Sequence, residues 1–116
     1  MGDLNRSAVI LRAKQAFLDW RNAFELKEGR KGYTLEEIRD DPKVYLVFGF
    51  KTVEPVRETV MEEFDIYFAD QLVDTVTSEE EWPKNRTVEM FKEWFDIEVF
   101  TTVDDVEDQV DIEEEL

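Results

Sequence analysis

Glu58 and Glu62 stand four residues apart, and so do Asp70 and Asp74. On a helix that spacing puts both members of a pair on one face. Two carboxylates so placed can bind a hard divalent cation, or raise one another's pKa for acid–base work. A second concentration of chemistry is Glu79-Glu80-Glu81-Trp82-Pro83-Lys84-Asn85-Arg86, which gathers acids, an indole, a proline turn, an amide and two bases in one loop. Loops of that kind often carry function on a rigid scaffold. Arg12 and Lys14, at the end of the first apolar run, are a third. Strand ends that feed a helix are common ligand sites. Each group also has a plainer explanation. With 30 acidic residues in 116, chance pairs on a solvated helix face are expected. Trp82 can plug the core at a helix–helix corner that Glu81 helps to cap. Arg12 and Lys14 can pair with the acidic excess.

Composition removes much other chemistry. The chain has no Cys and no His. Disulfides, thiolate nucleophiles, thiolate metal sites and Ser–His–Asp machinery are therefore excluded, together with the commonest general base. Four scattered glycines form no phosphate-cradling loop. No catalytic, cofactor-binding or metal residue is assigned, and no cofactor is expected. The net charge of −16 opposes direct nucleic-acid binding. Its simplest use is solubility, and its sharper use is recognition of a basic partner. No apolar run approaches a membrane span, and no signal-peptide core opens the chain, so a soluble cytoplasmic protein is the default.

The elements that must position these residues follow from hydrophobic periodicity. Val53 to Val76 is the longest periodic segment, with Val56, Val60, Phe64, Phe68, Leu72 and Val76 every four residues and Met61 and Tyr67 beside them. It reads as one long helix with an apolar stripe, an acidic opposite face, Pro55 in its first turn and Phe64 as its anchor on a sheet. Ser7 to Ala13 reads as a strand buried on both faces. A helix near Gln15 to Leu26 presents Phe17, Trp20 and Phe24, and a loop spans Lys27 to Gly32. Thr34 and Glu37 fit a capping box that opens a short helix ending before Pro42. Lys43 to Phe50 is a second strand, in which Gly49 marks a bulge or a close backbone approach. Ser78 and Glu81 repeat the capping-box pattern, and Pro83 limits that helix to about one turn. Thr87 caps a helix with a stripe of Val88, Phe91, Trp94 and Phe95. Ile97, Val99, Thr101 and Val103 alternate as a third strand. The echo between Phe17-Leu18-Asp19-Trp20 and Phe91-Lys92-Glu93-Trp94 points to similar packing needs rather than a repeat.

The order β-α-α-β-α-α-β implies a small α+β domain, with a short three-stranded mixed sheet and helices packed mainly on one face. Residues 1–103 form that single domain. The last thirteen residues, 104–116, carry eight acids and no base, an acidic extension with room for a short helix along Val103, Val106 and Val110.

Two blocks carry a resemblance: Leu4-Asn5-Arg6-Ser7-Ala8-Val9-Ile10 running to Phe17-Leu18-Asp19-Trp20, and Trp82-Pro83-Lys84 followed by Met90-Phe91-Lys92-Glu93-Trp94-Phe95. Together they resemble a family of small, acidic, uncharacterised bacterial proteins. The resemblance implies a bacterial, cytoplasmic, single-domain protein, and it brings no activity, cofactor or catalytic residue.

Three functions fit these residues. The first is a non-enzymatic interaction module for a basic protein partner, using Glu58, Glu62, Asp70, Asp74, Glu79, Glu80, Trp82 and Arg86. The second is a carboxylate- or metal-dependent enzyme built on Asp and Glu alone. The third is a DNA mimic that inhibits a nucleic-acid-binding protein. Converging carboxylates in a pocket favour the enzyme, acids spaced like phosphates favour the mimic, and a flat apolar patch favours the module.

Overall fold

A computed structural model describes residues 5–107. The elements are β1 (Arg6–Ala13), α1 (Gln15–Lys27), α2 (Leu35–Asp40), β2 (Val44–Phe48), α3 (Val53–Glu62), α4 (Phe64–Val73), a single 3-10 turn at Glu79–Glu81, α5 (Val88–Trp94) and β3 (Phe95–Phe100). This is the expected α+β class and element order. The acidic extension lies mostly outside the described residues, and so does most of the helix expected there.

The sheet order is β2-β1-β3, with β1 in the centre. A mixed sheet was expected, but both ladders are antiparallel, pairing Ala8 with Leu46 on one side and with Phe100 on the other. The reason lies in the first connection. It contains two helices, and the second returns the chain to the end of β1 that it left. Arg39 at the close of α2 donates from Nη1 to the Ala13 carbonyl (2.8 Å), and β2 then starts beside Ile10. The next strand must therefore run back along β1. Strands β2 and β3 share a direction but are separated by β1, so the crossover rule acts on no neighbouring pair.

Alternation decides which side of the sheet is covered. Val9, Leu11 and Ala13 of β1 join Phe95 of β3 in the core, with Tyr45, Val47, Ile97 and Val99 packed against it. The helices supply Phe17, Val56, Val60, Tyr67, Phe68, Leu72 and Phe91 to the same cluster. The core is aromatic at its centre. The Phe68 ring lies 5.3 Å from Trp94, 5.7 Å from Phe91 and 5.8 Å from Phe95 between centroids. The Phe-x-x-Trp echo is explained here, because the two helices face one another: Phe17 and Trp20 each stand 6.1 Å from Trp94.

Among the described residues no helix covers the other side of the sheet. Val44, Leu46 and Phe48 of β2 and Phe100 of β3 are exposed there, Phe48 by 77%. Strand β1 was expected to be buried on both faces; Ala8 is buried on the open side, but Ile10 is only partly so. Ala8 is shielded by the larger side chains of its two register partners, Leu46 and Phe100.

The long helix is two helices. At Glu63 the backbone leaves the helical basin (φ −106°, ψ 23°), ending α3 and starting α4. A strict four-residue repeat explains the break. At about 3.6 residues per turn each four-residue step winds the stripe by about 40°, or roughly 200° from Val56 to Val76. One straight helix would carry Leu72 to the side opposite Val56. Breaking at Glu63 lets both Val56 and Leu72 reach full burial. Phe64, the expected anchor, sits at the margin of the core, while Phe68 is fully buried.

Three local signals have specific outcomes. Thr34 Oγ1 accepts from the Glu37 N–H (3.2 Å) and the Glu37 carboxylate accepts from the Thr34 N–H (2.9 Å), completing the capping box. Thr87 caps α5 through Met90 N–H (3.2 Å). Ser78 makes no side-chain cap, because the following segment is a single 3-10 turn rather than an α-helix. Gly49 is a close approach: a Cβ there would stand 2.6 Å from Asn5 Oδ1. The third strand starts at Phe95, two residues before the expected alternation, and ends at Phe100. Helix α5 runs straight into it, while Lys14 N–H, following β1, donates to the Trp94 carbonyl (2.8 Å).

Candidate functional site

The two carboxylate pairs with equal spacing have different surroundings. Asp70 on α4 and Asp74, the residue that caps its C-terminal end, lie opposite the start of β2. Lys43 Nζ bridges them, 2.8 Å from Asp70 and 2.6 Å from Asp74. The Tyr45 hydroxyl donates to Asp70 Oδ2 (2.6 Å), and Gln71 Nε2 donates to that hydroxyl (3.0 Å). The Lys43 ammonium and then the Tyr45 hydroxyl hold the Asp70 carboxyl below its ordinary pKa. The same carboxylates push Lys43 up. Burial, reinforced by Asp70, pushes the Tyr45 phenol far above its usual range. This pair joins the end of α4 to the start of β2, its two partly exposed carboxylates sharing one ammonium.

Glu58 and Glu62 continue a row begun by Glu54 on α3. The three recur one turn apart, about 6 Å along the axis. They form one wall of a groove of about 570 Å³ between α3 and the outer edge of β3. Met61, Phe95 and Ile97 line its apolar part, and Arg57 and Lys92 add two cations. Arg57 Nη1 donates to the Ile97 carbonyl (3.3 Å), so that carbonyl points away from β1 and into the groove. In a strand a residue's N–H and C=O point to the same side, and alternate residues share it. Ile97 and Val99 thus turn their polar backbone to the outer edge of the sheet, as does the Phe95 carbonyl, while the Phe95 N–H donates to the Phe91 carbonyl of α5. Asp96 also lines the groove, but bonds to Arg39 Nη1 (3.0 Å).

The Glu79–Arg86 loop is a corner of the fold. Trp82 is buried and donates from Nε1 to the Val76 carbonyl (2.8 Å). Arg86 forks onto Asp65 of α4 (2.7 and 3.0 Å), donates to the Pro83 carbonyl (3.1 Å), and stands over the Trp82 ring at 5.6 Å. Asp65 raises the Arg86 pKa. Asn85 makes the turn at φ +54°. Glu81 accepts from Trp20 Nε1 through its carbonyl (3.2 Å) and meets Lys27 at 3.6 Å. Trp82 and Arg86 are thus engaged in holding the corner, while Glu79 and Glu80 are exposed on its outside.

At the end of β1, Arg12 pairs with Glu98 (2.7 Å) and donates to the Arg39 carbonyl (2.9 Å). Lys14 donates to the Lys92 carbonyl (3.2 Å). These contacts fasten α2 and α5 to the sheet; the pairing with an acid anticipated from the sequence is made by Arg12, whereas Lys14 binds a backbone carbonyl. Among the described residues no three carboxylates gather closely enough to hold a metal ion, and no helix is long and apolar enough to cross a membrane.

The chain matches no family model, no curated protein and no solved structure.

The backbone direction of β3 was not readable from sequence, so the groove was not either. Glu54 belongs to it through its four-residue spacing from Glu58, a signal that was available. Arg57, Met61 and Lys92 enter only because α3 packs along β3.

Proposed function

We propose that this protein is a non-enzymatic interaction module that binds an extended, basic segment of a protein partner in the groove between α3 and β3. One observation carries the reading: three successive turns of α3 present Glu54, Glu58 and Glu62 beside a strand edge whose Ile97 carbonyl already accepts a side-chain donor. An added strand would take main-chain hydrogen bonds from Ile97, Val99 and the Phe95 carbonyl and alternate its side chains across the sheet. One set would reach the α3 carboxylates, which favours Lys or Arg. The other set would lie beside Phe100 on the open face, which favours apolar residues. The binding sequence on the partner would therefore alternate basic and apolar residues. The net charge would steer such a segment and reject nucleic acid. The reading keeps the cytoplasm as the setting and requires no cofactor.

The test is a titration of the full chain with a ten-residue peptide alternating Lys and Val, against a scrambled peptide of the same composition. The alternating peptide should bind more tightly, with amide shifts along β3 in NMR. Equal binding of the two peptides would leave only unspecific charge attraction and would refute strand addition.

A further inference from the structure

A second cleft, of about 440 Å³, lies at the other end of the sheet. Its apolar lining comes from Leu11 of β1, Phe17 of α1 and Ile38 of α2, and its charged lining is Arg21, Lys43, Asp41 and Asp74. Its volume falls in the range of small-molecule sites. The charged residues differ in how far they are satisfied. Lys43 is held by Asp70 and Asp74. Arg21 Nε is buried and, among the described residues, has no hydrogen-bond acceptor. A buried donor left without an acceptor is costly, and more so when it is charged.

The surroundings of Arg21 are built with care. Its guanidinium carbon stands 4.5 Å from the Tyr33 ring centroid. Tyr33 belongs to the loop after α1, and Asn22 clamps that loop: its Nδ2 donates to the Tyr33 carbonyl and its Oδ1 accepts from the Tyr33 N–H, both at 2.8 Å. Gly32 precedes it at φ +86°, where a Cβ would stand 2.9 Å from Asn22 Oδ1. Arg30 ties the loop back to α1 through the buried Glu25 carboxylate, and its N–H donates to the Glu25 carbonyl (2.8 Å). The loop is therefore anchored through Arg30 and Tyr33, with Gly32 allowing the close approach to Asn22, and the anchoring sets an aromatic face on Arg21. A guanidinium that stacks on a ring keeps its in-plane N–H donors for an acceptor.

We propose that this cleft binds a small aliphatic carboxylic acid, with the carboxylate on the Arg21 guanidinium and the hydrocarbon chain against Leu11, Phe17 and Ile38. A planar fork of donors matches a carboxylate in shape and charge. The Asp41 and Asp74 carboxylates in the same lining leave the cleft without a net positive charge, which disfavours a dianion such as phosphate more than a monoanion. The site is separate from the α3–β3 groove and shares none of its residues.

The experiment is an NMR titration of the full-length chain with 4-methylpentanoate, with 4-methylpentanamide as the uncharged isostere and with inorganic phosphate. The acid should bind saturably with a Kd of about 1 mM, the range open to so small a ligand. Its shifts should centre on the Arg21 side-chain Nε–H and the Tyr33 ring. The amide should bind at least about tenfold more weakly, because it lacks the charge-assisted pair. Phosphate should give no saturable shift at Arg21. Arg21→Lys should bring the acid towards the amide's affinity while leaving the amide's own unchanged. Equal affinity of acid and amide on the native chain, absence of saturation at Arg21, or phosphate binding as tightly as the acid would each overturn the proposal, and none of these needs the variant to fold.

Discussion

Asp70/Asp74 and Glu58/Glu62 are the same pattern written twice, on consecutive helices of the same length. One pair closes on Lys43 and Tyr45; the other faces an open groove. The difference comes from what the tertiary fold brings opposite each helix. Strand β2 puts a Lys and a phenol against α4, whereas α3 runs beside the outer edge of β3, where backbone groups and an apolar strip await an added chain. An i, i+4 acidic pair thus specifies a charged face and leaves its use to residues far away in sequence.

The comparison depends on the break at Glu63, which aims α3 and α4 separately. Its largest test is the residue that locks α4. Phe68→Ala should destabilise by about 3–5 kcal/mol, the cost of truncating a fully buried aromatic. Phe64→Ala, at the core margin, should cost clearly less. Urea unfolding of both variants measures this, and an equal or reversed order would mean that one continuous stripe through Phe64 describes the helix better than two halves.

Next in size is the Asp70/Asp74 pair itself. Asp70→Asn should cost about 1 kcal/mol, since the pair is partly exposed and screened by solvent. Its pH dependence has a definite sign. The folded Asp70 pKa lies below the ordinary carboxylate value, so its contribution is present above about pH 4 and is lost as pH falls through the folded value. Lys43 is shifted upwards, so its contribution is present below about pH 10 and is lost as pH rises through its folded value. The stability difference between wild type and Asp70→Asn should be flat from about pH 5 to 9 and shrink on the acid side. A difference that grows with acid would contradict the pairing geometry.

The smallest stability effect belongs to the groove pair. Glu58→Gln with Glu62→Gln should change stability by no more than about 0.5 kcal/mol, with a bias towards stabilisation in a chain of net charge −16. KCl should raise the thermal midpoint of wild type, because at about 1 M the Debye length falls to about 3 Å and exposed repulsion is screened. Loss of stability on neutralising the glutamates would show that they are held by a cation of the fold like Asp70.

Much of the fold was legible in the sequence because its signals are local. Thr34 with Glu37 and Thr87 ahead of Val88 announce helix starts through chemistry contained within four residues. The continuous run Ala8–Leu11 announces a strand, though not its place in the sheet order. The less legible parts are those set by partners distant in sequence. Nothing near Glu63 breaks a helix by composition; the break follows from winding of a four-residue repeat against one fixed sheet. Ser78 and Glu81 have the spacing of a capping box but no helix long enough to use it. Tyr33 directly follows the Lys27–Gly32 stretch, whose two glycines and four charges read only as a loop, and its place over Arg21 depends on Asn22, eleven residues earlier. The groove residues Glu58 and Glu62 were visible as a pair, but Arg57 and the outward carbonyl of Ile97 become relevant only once β3 is known to be an edge.

The central claim is that the α3 carboxylates receive a basic strand and the α4 carboxylates do not. Binding of the alternating Lys–Val peptide should be compared at two salt concentrations for wild type, for Glu58→Lys with Glu62→Lys, and for Asp70→Asn. Reversal on α3 should weaken binding at low salt by at least about tenfold and flatten its salt dependence, while Asp70→Asn leaves both unchanged. If Asp70→Asn weakens binding as much as the α3 reversal, or if neither variant changes it, the groove between α3 and β3 is not the binding site.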